Sequence, residues 1–172
     1  MKNRIVLAAV ASVFGIATIA QAAPNPDNKW ELTLSGQGAN DNDFDGVSVS
    51  AQGQLGYYID SAAQHQVNLR QNLIYSDTGG PGSSLDGSTA IGYDYHFDFG
   101  QDQPIVPFLG ASVGYRYGDA TDDSWIAGLE GGAKFYVNDT TFIFGRVGYD
   151  FLLQESFGDG SFNYALGVGF RW

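Results

Sequence analysis

The chain has 172 residues, a formal net charge of −11, 24 Gly and no Cys. A disulfide-stapled scaffold is excluded, and 19 acidic against 8 basic side chains oppose binding to a polyanion, so nucleic acid is not an expected partner. The length suits one domain.

Lys2 and Arg4 precede an apolar run from Ile5 to about Ile19 and the triplet Ala20-Gln21-Ala22. This predicts a signal peptide over residues 1–22 with an A-x-A cleavage site. Ser12, Gly15 and Thr18 interrupt the run, and it falls short of the about 20 apolar residues that a spanning helix needs. Residues 23–172 are then the mature domain.

From residue 30 onward, large apolar residues alternate with small or polar ones, the period of a strand with two unlike faces. The first three strands are expected over residues 30 to about 38, 47–59 and about 67–75, carried by Trp30/Leu32/Leu34, Val47/Val49/Ala51/Leu55/Tyr57 and Val67/Leu69/Leu73/Tyr75. A fourth follows Ile91, Tyr93, Tyr95, Phe97 and Phe99. The fifth follows Ile105, Leu109, Ala111, Val113, Tyr115 and Tyr117, with Pro104 and Pro107 at its start, where proline is tolerated. The sixth runs on Trp125, Ala127, Leu129, Gly131, Ala133, Phe135 and Val137. Asn138-Asp139 is a turn signal before a seventh and noisier strand, in which Phe142, Phe144 and Leu152 break the polar face. In the eighth, Phe162, Tyr164, Leu166, Val168, Phe170 and Trp172 alternate with Asn163, Ala165, Gly167, Gly169 and Arg171.

Eight strands with no intervening helix predict an all-β, antiparallel up-and-down meander. Its connections alternate: long and polar at 40–45, 77–86, 118–124 and 155–161, short at 60–64, 100–103 and 138–139. Long loops on one side and short turns on the other are the pattern of a transmembrane barrel, with both termini on the turn side. A soluble barrel with its apolar face inward shows the same alternation, so volume decides. An eight-stranded interior is only just wide enough to be filled by side chains, and the aromatic and branched face would overfill it. That face is expected toward lipid, with Trp30, Tyr57, Tyr75, Tyr117, Trp125, Tyr149 and Trp172 near strand ends as girdles. The Gly-, Ser-, Asn- and Ala-rich face is expected toward the lumen.

The terminal Gly167-Val168-Gly169-Phe170-Arg171-Trp172, together with the leader and the loop pattern, resembles the small outer-membrane β-barrels typified by the OmpA transmembrane domain. The resemblance implies a closed eight-stranded barrel in the outer membrane of a Gram-negative bacterium, surrounded by lipid and lipopolysaccharide. It also implies that Gly167, Phe170 and Trp172 form the signal read by the barrel-assembly machinery. Ala165 stands where that family more often has a polar residue.

By parity the lumen holds Arg70, Asp94, His96, Arg116, Glu130, Lys134, Arg146 and Asp150, besides Asp98 and Arg171. Opposite charges in a low-dielectric interior must pair, so an ion-pair network plugging the barrel is expected. The sharper alternative is that Glu130, Lys134, Arg116 and Arg146 line or gate a conduit; the sequence does not fix which acid meets which base. His65 falls on the apolar face and His96 in the lumen, with no H-x-S motif, so no catalytic residue is assigned and no cofactor is expected. A lipid A-modifying activity is the remote alternative. Asp41, Asp43 and Asp45 match the first half of a calcium loop, D-x-[DN]-x-[DN]-G, but Gln52 stands where a bidentate Glu is needed. They are read as solvated loop acids that, with Asp119, Asp122 and Asp123, form at most a weak cation site. The expected role is non-enzymatic: strengthening the outer membrane or offering acidic loops to an outside partner, with a narrow channel as the alternative.

Overall fold

The computed structural model describes residues 23–40, 47–77, 82–97, 104–154 and 160–172. The predicted signal peptide, Asp41, Asp43 and Asp45, Asp98, and the 100–103 turn lie outside them. Eight strands form: β1 (Trp30–Asn40), β2 (Val47–Tyr58), β3 (His65–Asp77), β4 (Ser83–His96), β5 (Ile105–Gly118), β6 (Ser124–Tyr136), β7 (Thr141–Leu152) and β8 (Ser161–Arg171). Each pairs antiparallel with its neighbours in sequence, and β1 pairs with β8 to close the barrel.

The largest departure from the expected strands is β4. Its pattern was anticipated from Ile91 to Phe99, but it starts at Ser83 and ends at His96. The reason is backbone pairing. β3 extends to Asp77, and its ladder with β4 runs from His65↔Tyr95 to Asp77↔Ser83. Apart from Leu85, residues 83–90 carry only small or polar side chains and give little apolar signal, yet their N–H and C=O groups still need partners. The 138–139 turn is also wider than expected. The Val137 N–H donates to the Thr141 carbonyl (2.8 Å), while Asn138 Oδ1 accepts from the N–H groups of Thr140 (2.9 Å) and Thr141 (2.7 Å).

The barrel is inside-out relative to a water-soluble one. Leu69, Ile91, Leu109, Trp125 and Leu129 are exposed on the outer face, while Glu31, Gln54, Gln66, Asn68, Arg70 and Asp94 are buried within. A continuous apolar belt of this kind is not stable against water, and it makes the barrel a membrane-spanning one. Trp30, Tyr57 and Trp172 ring the end that carries the termini, and Tyr75, Trp125 and Tyr164 the end that carries the long loops.

At the terminal end the lumen is packed with aromatic rings set over inward glycines. A Cβ at Gly132 would lie 2.8 Å from the Phe108 ring, one at Gly167 would lie 2.7 Å from the Phe144 ring, and one at Gly169 would overlap the Phe142 ring. The β2–β3 turn at the same end is bracketed by Asp60, whose Oδ1 accepts from the N–H groups of His65 (2.8 Å) and Gln64 (3.0 Å). Partial desolvation pushes the Asp60 carboxyl up, but the His65 and Gln64 donors outweigh it and hold it below its usual range.

Two outcomes follow. Gly169→Ala forces its methyl into the fully buried Phe142 ring and should cost about 1–3 kcal/mol, the range for overpacking, measured as a lower urea midpoint of the mature barrel in phospholipid vesicles. The stability Asp60 adds is present above the ordinary aspartate pKa and is lost as pH falls through the depressed one. The gap in urea midpoint between wild type and Asp60→Ala should therefore be full at about pH 6 and shrink as pH falls below about 4; a gap that widens would contradict the bracket.

Candidate functional site

The candidate site is the lumen, organised in three levels along the barrel axis. At the terminal end, Lys134 on β6 meets Glu31 on β1: Nζ lies 2.6 Å from Glu31 Oε1 and donates to the Tyr58 hydroxyl at 3.0 Å. That hydroxyl donates in turn to Glu31 Oε2 at 2.8 Å, so ammonium, phenol and carboxylate close a triangle. The ammonium also sits 5.1 Å from the Phe142 ring centroid, with Tyr58 and Phe108 at 5.6 and 5.7 Å, a cation–π cage that supplements the single counterion. Arg171 stacks 4.2 Å from the Tyr58 centroid and donates to the Tyr136 hydroxyl (3.1 Å) and the Asn28 carbonyl (2.9 Å). His96 Nε2 lies 3.4 Å from the Tyr58 hydroxyl. Tyr58, Tyr136 and Phe142 are at most 1% exposed, so this level is closely packed.

The middle level is built on Glu130 of β6. Arg70 grips it with two N–H donors, at 2.6 and 2.8 Å, the bidentate geometry in which a guanidinium matches a carboxylate. Arg146 stands 3.6 Å away on the other side. Gln54 Oε1 accepts from both Arg70 Nε (3.1 Å) and Arg146 Nη1 (3.2 Å), and Arg146 Nη2 also donates to Gln52. Asp94 is held by Asn68 Nδ2 at 2.9 Å; its Oδ1 finds no partner among the described residues.

Above this floor, toward the loops, is a cavity of about 400 Å³ whose wall includes Ser50, Asn72, Ser112, Asn163 and Asp150. Asn163 donates to Asp150 Oδ2 at 2.8 Å.

The lumenal residues named from parity thus divide. Arg70, Glu130, Arg146 and Asp94 form one cluster, Lys134 and His96 belong to another 2.6–3.4 Å network with Glu31 and Tyr58, and Asp150 lines the cavity. Arg116 enters no ion pair among the described residues. Of the four residues expected to act together as a conduit lining, Glu130 and Arg146 sit together, whereas Lys134 pairs with Glu31 at the terminal end and Arg116 stands apart from both ion-pair groups. Glu31, Tyr58, Tyr136, Phe142 and Phe144 were missed. Parity places Glu31 between outward Trp30 and Leu32, which is signal enough, and the noise in the seventh strand was the inward Phe142 and Phe144. The small-residue lumen face describes the loop half only; the terminal end is aromatic.

Gly167 lies beneath Phe144 and pairs with Ser35. The Phe170 and Trp172 side chains face outward, and the Trp172 backbone exchanges two 3.0 Å hydrogen bonds with Trp30. On the outer face, His65 Nδ1 lies 2.6 Å from the Tyr93 hydroxyl. Among the described residues no three His, Asp or Glu side chains converge as metal ligands.

No protein-family model and no curated protein sequence matches the chain. Its fold does match solved structures. The N-terminal β-barrel domain of Pseudomonas aeruginosa OprF aligns over 84% of this chain and 98% of that one, at 17% identity and a TM-score of 0.55. Neisserial surface protein A (NspA) aligns over 83% and 95%, at 14% identity and a TM-score of 0.58. The Yersinia pestis outer membrane protein Ail aligns over 84% and 99%, at 12% identity and a TM-score of 0.54. The chain has the fold of these small eight-stranded barrels.

The terminal-end triangle makes a sharp expectation. Glu31→Gln leaves the Lys134 ammonium, 3% exposed, without its counterion and should cost about 3–5 kcal/mol, whereas the double variant Glu31→Gln/Lys134→Met removes both charges and should recover most of that loss. Urea unfolding of the three chains in vesicles reads the difference; equal losses in single and double variants would mean that the pair is not what holds this level together.

Proposed function

We propose that the chain is an exported outer-membrane protein with a non-enzymatic role: a non-conducting barrel that reinforces the envelope and presents acidic loops to a partner outside the cell. The observation that carries this reading is the closely packed aromatic level at the terminal end, where Phe142, Tyr58 and Tyr136 are at most 1% exposed around the Lys134–Glu31 pair. An ion crossing it would have to shed its water against apolar rings, which costs far more than thermal energy. The structural likeness to Neisserial surface protein A and to the outer membrane protein Ail supports the membrane placement. So do the leader pattern, and the terminal Phe170 and Trp172 on the last strand as an assembly signal. Neither histidine favours lipid chemistry: His96 is enclosed by Tyr58 and Phe108, and His65 sits on the outer face beside Tyr93 at the terminal end.

The deciding measurement is single-channel conductance of the refolded mature chain in a planar bilayer, after a heat-shift on a gel establishes that the barrel has formed. Wild type should be silent, and Phe142→Ala/Lys134→Ala should open discrete steps. Steps in the wild type that change with Glu130→Gln would replace this reading with a narrow channel.

A further inference from the structure

Of the carboxyl groups in the lumen, that of Asp94 has the fewest partners. Asp94 is 2% exposed, does not line the loop-side cavity and enters no ion pair among the described residues. The guanidiniums nearby are committed elsewhere: Arg70 donates to Gln54, Asn68 and Glu130, and Arg146 to Gln54 and Gln52. One neutral donor, Asn68 Nδ2, serves Asp94 Oδ2 at 2.9 Å. Oδ1 is fully enclosed and accepts from nothing among the described residues, so neither water nor an ion can reach it.

The side chain that closes on Oδ1 is that of Glu130. A Cβ at Gly110 would overlap Asp94 Oδ1 and lie 3.1 Å from Glu130 Cγ, and the two carboxyl groups are within hydrogen-bonding reach of each other. Two carboxylates cannot make that contact, because each offers only lone pairs and their like charges repel strongly in the interior. An enclosed carboxylate with a single neutral hydrogen bond is also too poorly solvated to stay charged. One proton meets all of these needs. It belongs on Asp94, since Glu130 is gripped by both N–H donors of Arg70 and faced by Arg146 at 3.6 Å. The balance of charge agrees: with Asp94 neutral, two guanidiniums, Arg70 and Arg146, face two carboxylates, Glu130 and Asp150. The remaining ionisable groups around Asp94 are Lys134 on β6 and His96 on its own strand, while β5 presents only Gly110 opposite it.

We propose that Asp94 is held as a neutral carboxylic acid at neutral pH, its Oδ1–H donating to Glu130, so that a buried proton is a structural part of the middle level. Alkaline conditions remove that proton and leave two carboxylates in contact, and the barrel weakens.

The test uses the mature barrel in vesicles of ether-linked phospholipid, which has no carbonyl of its own, with a heat-shift on a gel confirming the fold. Infrared spectra at neutral pH should show the carbonyl band of a protonated carboxyl. That band should move to lower frequency when aspartate side-chain carboxyls carry 13C, and should be missing in Asp94→Asn. It should also vanish in Glu130→Gln, because the new amide donates to Oδ1 while Arg70 and Arg146 call for the Asp94 charge. Asp94→Asn keeps a donor toward Glu130 and an acceptor toward Asn68, with no proton to lose. Its urea midpoint should nearly match that of wild type at about pH 4 and exceed it increasingly as pH rises, because above the ordinary aspartate pKa of about 4 only the folded wild type holds the proton. If Asp94→Asn does not fold, the carboxyl 13C shift of Asp94 in the labelled wild type reads the same state and should keep its acid value at neutral pH. A wild type without the band would overturn the proposal, as would a band that survives either substitution. A wild-type midpoint that gains on Asp94→Asn as pH rises, the sign of an ion-paired carboxylate, would do so too.

Discussion

Everything in this molecule follows from the absence of hydrogen-bonding solvent in hydrocarbon. A strand in that medium must find both of its backbone partners within the protein, because each orphaned group costs several kcal/mol. An open sheet fails at its edges, so the sheet closes: β1 returns to β8. Closure at eight strands then fixes the interior width. Once the width is fixed, the large side chains are driven outward and the lumen must be filled from a limited choice of shapes.

The filling is solved differently at the two ends. At the terminal end, rings of Phe108, Phe142 and Phe144 occupy volume released by their ladder partners Gly132, Gly169 and Gly167 on the adjacent strands, so bulk on one strand is matched by its lack on the next. Lys134 is tolerated there because carboxylate, phenol and three ring faces surround it. Farther up, Ser, Asn and Gln side chains are too short to meet across the barrel, and a cavity of about 400 Å³ results. The Arg70–Glu130–Arg146 cluster separates the two regimes.

Much of the fold was legible in the sequence, because period 2 is a local property: Phe162 through Trp172 display it without reference to any other strand. The start of β4 was not, since Ser83 and Ser84 are in a strand only because β3 reaches up to pair with them. The site was legible as a set and illegible as a network. Parity alone puts Glu130, Arg70 and Lys134 in the lumen, but strands far apart in sequence decide that Lys134 finds Glu31 across 103 residues. The aromatic level was hidden by treating the inward Phe142 and Phe144 as noise, when two inward rings on one strand report where small-residue filling stops.

The β1–β8 ladder holds only five pairs, from Glu31↔Arg171 to Ser35↔Gly167, and gives the barrel unequal stiffness. At the rim where Trp30 and Trp172 clasp each other through two 3.0 Å backbone hydrogen bonds, the wall is a hoop. At the other rim it is a split cuff, whose lips can spread without breaking a ladder bond. Lateral pressure in the surrounding leaflet does little work on a hoop and does work directly on a cuff. The loop-side rim is therefore the more compliant of the two, and the terminal end the stiffer.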